Sequence, residues 1–364
     1  MNQQHPPSSE QLLAHYLELA RRQPDAPDVL FTLALLFQNR KDLEQAGNYY
    51  QQGLALRPDV WEAQLALAEI RVVQGRTPEA AERFRQALAL NPDSQHAWFG
   101  LANLYVRQRA WPELDTCYAE ILARFPELQQ TPAIFLNTLP RSASIYLTTT
   151  LRLLLGREFL MVAEIDSASD AIYPQAARHF ACGGVISQAH LPATAYNLDV
   201  LNSCFDKLVV HLRDPRQATL SLVYLFRSQQ QAGNPGLRLV PPLPEGYAGW
   251  SLPVQIDWNL EHYYPVLIRW IADWLDVRDQ GLFHGELLLT RYEDFRADAA
   301  GFYRQILGFY GIGLAGPDFA GITPAPGYLN FRKGDVEEWR TVFSPEQAER
   351  ASRLLPERLN EIFA

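Results

Sequence analysis

The fold class predicted from the sequence is an N-terminal all-α superhelix of repeats followed by an α/β domain with a mostly parallel sheet. Two observations carry this. Pro24, Pro58, Pro92 and Pro126 recur at a spacing of 34 residues, and a fixed period of that size marks stacked helical units. From residue 131 the period stops, and short apolar runs alternate with amphipathic stretches, as strands and helices do in a parallel sheet. The 364 residues give room for two domains, read as 1–128 and 131–364.

Other positions in the first third keep the proline register. Ala34, Ala68 and Ala102 align, as do Leu33, Leu67 and Leu101, then Leu36, Ile70 and Leu104, then Tyr50, Phe84 and Tyr118. Within a unit the apolar residues fall three and four apart, for example Leu65, Ala68 and Ile70, then Ala80, Phe84 and Leu88. That spacing predicts two antiparallel amphipathic helices per unit. The aligned alanines sit where the helices cross closely, and Gly75 marks a helix end. These units resemble the tetratricopeptide repeat (TPR). Three repeats span about residues 25–126, and residues 10–22 read as an extra helix over the first. The resemblance implies a docking surface with a protein partner on its concave face, although the ligand is not named by the residues.

Composition narrows the function classes. A formal charge of −9 argues against nucleic-acid binding through bulk positive charge. Lysine occurs only at Lys41, Lys207 and Lys333, so arginine, whose planar fork suits phosphate and sulfate, dominates the cations. Cys117, Cys182 and Cys204 are odd in number and form no CxxC pair, which argues against a disulfide framework and for a reducing compartment. The N-terminal segment MNQQHPPSSEQLL has neither a basic region nor an apolar core, and no apolar run is long enough to span a membrane. The expectation is a cytoplasmic protein.

In the second domain AIFLNTL (133–139), FLMVAEI (159–165), GVISQAH (184–190), KLVVHL (207–212) and ELLLTRY (286–292) read as strands. Helices are expected over Ser144–Leu155, Ala171–Phe180, Pro215–Gln230 and Leu260–Leu275. Ligands in such sheets sit at the carboxyl ends of the strands. After the first strand comes Leu139-Pro140-Arg141-Ser142-Ala143-Ser144-Ile145-Tyr146. A strand, a turn of small residues and a helix start present backbone N–H groups to an anion, and a well-capped helix would look the same. The segment is not a Walker A loop, which disfavours a P-loop kinase or GTPase.

This segment resembles the 5′-phosphosulfate loop of the sulfotransferase superfamily, Pro-Lys/Arg-Ser-Gly-Thr/Ser-Thr-Trp/Tyr, with Ala143 in place of the glycine and Ile145 in place of a hydroxyl residue. Three further segments follow in the family's order. Leu212-Arg213-Asp214-Pro215 precedes Ser221, eight residues after Arg213. Leu289-Thr290-Arg291-Tyr292-Glu293-Asp294 is similar to the Tyr-Glu-Asp segment, and Phe331-Arg332-Lys333-Gly334 through Trp339-Arg340 is similar to the Arg-Lys-Gly segment. The resemblance implies a P-loop-like sulfotransferase fold and 3′-phosphoadenosine 5′-phosphosulfate (PAPS, with product PAP) as sulfuryl donor. It implies that Arg141, Ser142, Ala143, Ser144, Ile145 and Tyr146 hold the 5′-phosphate side. Arg213 and Ser221 would then hold the 3′-phosphate, Arg332, Lys333 and Gly334 would close over it, and Tyr292 would contact the adenine.

His190, in Gln188-Ala189-His190-Leu191-Pro192, resembles the family's Lys-Thr-His-Leu-Pro base motif, with Gln188 in place of the lysine. It is the favoured base, and its ordinary pKa suits proton removal from a hydroxyl. Glu164 and Asp166 are the rival bases. No histidine shows metal-ligand spacing. The acceptor is a hydroxyl on a saccharide, peptide or small molecule. The Pro- and Gly-rich residues 228–257 are expected to form an acceptor loop with Tyr247 and Trp250 as contacts, while Trp270 and Trp274 are expected in the core. The alternative is a TPR adaptor with a catalytically inactive nucleotide-binding domain, favoured by Ala143, Ile145 and Gln188.

Overall fold

The residue before each repeat proline ends a helix. Gln23, Arg57, Asn91 and Phe125 leave the helical region at φ −134°, −139°, −134° and −125°, because the proline ring crowds a preceding helical residue. The computed structural model describes residues 8–163, 171–231, 242–313 and 334–363. The chain divides into two units, Met1–Pro126 and Glu127–Ala364.

The first unit is TPR-like. Its three helix pairs are Pro27–Asn39 with Leu43–Leu56, Trp61–Val73 with Thr77–Leu90, and Gln95–Gln108 with Trp111–Arg124, preceded by Ser9–Arg22. Ala34, Ala68 and Ala102 are wholly buried, as close helix crossing requires. Gly100 has the same role, since a Cβ there would lie 2.4 Å from the Phe84 ring. The turn inside each pair uses one left-handed residue, and these also recur every 34 positions: Lys41 at φ 63°, Gly75 at 70° and Arg109 at 55°. Only the middle repeat places a glycine there.

Among the described residues, the second unit is an α/β domain around a four-stranded, all-parallel sheet. The strands are β1 (Ile134–Thr138), β2 (Ile186–Ala189), β3 (Lys207–Leu212) and β4 (Glu286–Arg291), in the order β2-β1-β3-β4. Alternation divides β1 between two cores. Ile134 and Leu136 pack with Leu147, Leu151, Val209, Phe302 and Ile306, while Phe135 meets Phe180 and Phe205 on the other face.

The expected strand at 159–165 is not a strand among the described residues. Glu158 and Leu160 exchange backbone hydrogen bonds with Ile186 at 3.0 Å, but only one parallel bridge forms, and Ala163 pairs antiparallel with Ile172. Its apolar run is buried by packing rather than by a ladder, which hydrophobicity alone cannot distinguish. The expected helix Leu260–Leu275 is two helices, Leu252–His262 and Tyr264–Gln280. Pro265 opens the second, where its missing N–H costs nothing, and so interrupts the first. No described helix is long and apolar enough to cross a membrane.

Candidate functional site

Because all four strands run the same way, the residues following them share one edge. From β1 the chain crosses to β2 on one side, then returns past β1 to β3 on the other. The switch point therefore lies between β1 and β3, where parallel sheets open a crevice for ligands. The loop at Pro140–Ala143 follows β1, and Arg213 follows β3.

That loop holds two non-glycine residues in the left-handed region, Arg141 at φ 71° and Ala143 at φ 67°. Each such residue costs about 1–3 kcal/mol and persists only where its surroundings enforce it. The enforcing contacts are visible. Ser142 is fully buried, and its N–H and Oγ both donate to Leu139 O, at 3.2 and 2.7 Å. An Arg213 guanidinium nitrogen donates to Arg141 O. His211 Nε2 donates to Ser142 O at 3.0 Å. Helix Ser144–Leu155 then begins with no side-chain cap, and Ala143 O accepts its first bond from Leu147 N. The N–H groups of Ala143, Ser144, Ile145 and Tyr146 have no acceptor among the described residues, as the first turn of a helix dictates. Left-handed turns ahead of a helix start form an anion-binding concavity.

Three segments far apart in sequence meet at this loop. Arg141 Nε donates to Ser221 Oγ at 3.1 Å. Arg213, almost wholly buried, also donates to Asp335 O at 3.2 Å, which brings Gly334 and Asp335 to the same place. Gly334 itself turns at φ 70°. Trp339 N donates to Gln217 Oε1 at 3.0 Å, and the Arg216 guanidinium lies 4.4 Å from the Trp339 ring centre, so this segment is held against helix Pro215–Gln231. Arg332 and Lys333 lie outside the described residues, as do Glu164 and Asp166.

Tyr292 is buried, and its ring lies beneath the Arg213 guanidinium, 4.0 Å from ring centre to carbon. It supports the arginine by a cation–π contact. Tyr146 is half-buried against Phe295 with ring centres 5.5 Å apart, and burial raises its hydroxyl pKa. Ile145 keeps 47% of its surface exposed, and its apolar side chain can add no polar contact to the loop. Ser142, turned inward, acts as a lock on the turn.

His190 follows β2 and is half-buried. Its Nδ1 lies 2.6 Å from Thr138 O, a carbonyl that can only accept, so Nδ1 carries the proton and Nε2 the lone pair. Burial lowers its pKa, and the nearby Arg141 charge adds to this against the opposing pull of the Thr138 carbonyl. The turn after it is clamped. Leu191 N donates to Asn137 Oδ1 at 2.8 Å, Trp274 Nε1 to Leu191 O at 2.8 Å, and Trp270 Nε1 to His190 O at 3.3 Å. The Gln188 amide nitrogen lies 3.4 Å from His190 Nε2 and 3.3 Å from Thr138 Oγ1.

Several positions differ from expectation or escaped it. Tyr247 is fully buried, and its hydroxyl accepts from Asn259 Nδ2 at 2.7 Å, so it is core and not an acceptor contact. His211 and Asn137 lie outside the site residues that the motifs indicate. His211 interrupts the apolar run of β3, and Asn137 stands with Thr138 at the polar end of β1; a buried polar residue in such a run is the signal that marks them.

Residues 31–82 and 65–113 match the family model for the tetratricopeptide repeat. No curated protein matches the chain. MamA from Desulfovibrio magneticus is 20% identical, over 34% of this chain and 70% of that one, with a TM-score of 0.31. A thermophilic TPR protein from Thermus thermophilus is 22% identical, over 33% and 66%, with a TM-score of 0.27. Mouse sulfotransferase SULT7A1 complexed with PAP is 17% identical, over 63% of this chain and 86% of that one, with a TM-score of 0.42.

Proposed function

We propose that the second domain is a PAPS-dependent sulfotransferase acting on an acceptor hydroxyl, and that the repeats dock the acceptor or a protein partner. The observation that carries this is the meeting of Arg141, Arg213, Ser221 and Gly334–Asp335 around the strained loop between β1 and β3. A donor with a 5′-phosphosulfate and a 3′-phosphate fits two adjacent anion-binding features: the outward N–H groups of Ala143–Tyr146 with Arg141, and Arg213 with Ser221. When bound, the nucleotide supplies a sulfuryl group, which leaves its 5′-phosphate oxygen for the acceptor oxygen.

The chain's own residues divide the remaining work. Arg141 and the loop N–H groups stabilise the negative charge that grows on the leaving phosphate, in place before the reaction begins. Arg213 sets the loop's shape and, with Ser221, holds the second phosphate. Tyr292 keeps Arg213 in position. His190 takes the acceptor proton at Nε2, and Thr138 O steadies the resulting imidazolium through Nδ1–H. Arg332 and Lys333 are assigned to closure over the 3′-phosphate by resemblance.

A second reading, the adaptor with an inactive nucleotide domain, has one observation in its favour: the Gln188 amide faces the His190 Nε2 lone pair. An acceptor screen with isotopically labelled activated sulfate separates the two. Transfer of label to a hydroxyl supports the enzyme, whereas nucleotide binding with no transfer to any acceptor class supports the adaptor.

A further inference from the structure

We propose that His211 is the positioning residue that aims the anion loop, a role that rests on reading the loop as the seat of the 5′-phosphate. His211 lies inside β3 and is buried, with its Nδ1 2.9 Å from Thr290 Oγ1 and its Nε2 3.0 Å from Ser142 O. The carbonyl can only accept, so Nε2 carries the proton, and Nδ1 accepts from the Thr290 hydroxyl. The two bonds together select one tautomer. Thr290 in β4 thereby fixes a donor in β3 that fixes a carbonyl in the loop after β1.

The consequence follows from peptide geometry. In a planar trans peptide the C=O and the next N–H point in opposite directions. Holding Ser142 O toward the sheet turns the Ala143 N–H away from it, to the side where the N–H groups of Ser144–Tyr146 stand. Arg213 acts the same way one peptide earlier by holding Arg141 O, which leaves the Ser142 N–H to Leu139 O. Arg213 also brings a charge to the site. A neutral imidazole brings none, so the effect of His211 on an anion is geometric. Phe302 packs edge-on to its ring with centres 5.4 Å apart, which blocks rotation away from these partners.

The test compares wild type, His211→Leu, His211→Gln and Thr290→Val by calorimetric titration with adenosine 3′,5′-bisphosphate and with adenosine 3′-monophosphate, each variant's thermal unfolding being recorded alongside. Losing one hydrogen bond predicts that His211→Leu binds the bisphosphate roughly three- to tenfold more weakly while 3′-monophosphate affinity holds. His211→Gln, whose amide can still donate to Ser142 O, should recover the loss. Thr290→Val should show a smaller loss of the same selectivity, and it decides the matter if His211→Leu does not fold. Equal losses for both ligands, or no loss for either, would overturn the role. A wild-type protein that binds neither nucleotide would overturn the sulfotransferase reading, and this inference with it.

Discussion

Arg213 donates to the backbone carbonyl of Arg141, 72 positions earlier in the chain. This bond joins the residue after β3 to the loop after β1, across the switch point of the sheet. It makes Arg213 both a builder of the loop and a cation beside it, so its removal should cost more than one contact.

Ala143 stands where a glycine would carry φ 67° without strain. Ala143→Gly is expected to raise stability by about 1 kcal/mol and to leave nucleotide affinity equal or improved. Thermal and denaturant unfolding check the first part and calorimetry the second. A destabilised Ala143→Gly variant would show that the Ala143 backbone is not strained.

The same argument applies in the repeats. Lys41→Gly and Arg109→Gly should each stabilise the chain by about 1 kcal/mol, because both residues occupy the left-handed turn position that Gly75 fills in the middle repeat. The two sites belong to different repeats, so their effects should add. Denaturant midpoints of the single and double variants measure this.

His190→Ala should lower turnover by about 10²–10⁴-fold with nucleotide affinity nearly unchanged. The pH profile carries the sign. The working form is the neutral imidazole, and burial lowers its pKa. Activity should therefore persist as pH falls through the ordinary histidine range near 6.5, declining only below it. An acid limb centred above the ordinary value would contradict the assignment. Near-normal transfer by a folded His190→Ala would remove it.

His211 makes a stability prediction of its own. Burial drives its pKa to about 3, whereas in the unfolded chain it protonates near 6.5. The unfolded state binds the extra proton in that window, so stability falls as pH drops below about 6.5, by up to about 1.4 kcal/mol per pH unit. The loss continues until the folded-state pKa is reached. His211→Gln has no proton to take up and should flatten this slope between pH 6.5 and 5. Parallel slopes for wild type and variant would show that His211 protonates freely in the fold.

The repeats are legible in the sequence because the prolines of the 34-residue register end the helices before them and the buried alanines leave no room for variation. β1, β3 and β4 are legible as mainly apolar runs that lead to a polar site residue, whereas β2, Ile-Ser-Gln-Ala, is half polar and is marked chiefly by the Val185-Ile186 pair at its start. The run at 159–163 breaks the rule, since burial by packing and burial in a ladder leave the same hydrophobic trace. Helix Leu252–His262 ends shortly before Pro265, which opens the next helix and which the apolar periodicity passes over. In the site, Arg213 and Ser221 stand out by their spacing, and Arg141 and Gly334 by resemblance to family segments. Their mutual bonds do not, because spacing places residues at one sheet edge without saying which carbonyl each guanidinium meets. Tyr292 illustrates the limit: its motif position suggests a nucleotide contact, and the sequence does not reveal that its ring also lies beneath Arg213. Tyr247 illustrates it again, as an aromatic in a Pro- and Gly-rich stretch that folds inward onto Phe226 and Asn259.

The central claim, that these segments form a site for a 3′,5′-bisphosphorylated nucleotide, is tested most directly by calorimetric titration of adenosine 3′,5′-bisphosphate into wild type, Arg213→Ala, Ser221→Ala and the double variant. Hydrogen bonds to a charged group are worth about 1.5–3 kcal/mol, so Arg213→Ala should lose roughly tenfold to a hundredfold in affinity and Ser221→Ala less. The double variant should lose less than the sum of the two, since both residues serve one phosphate through linked contacts. Wild-type binding that is absent, or that survives unchanged in folded Arg213→Ala and Ser221→Ala, would contradict the account.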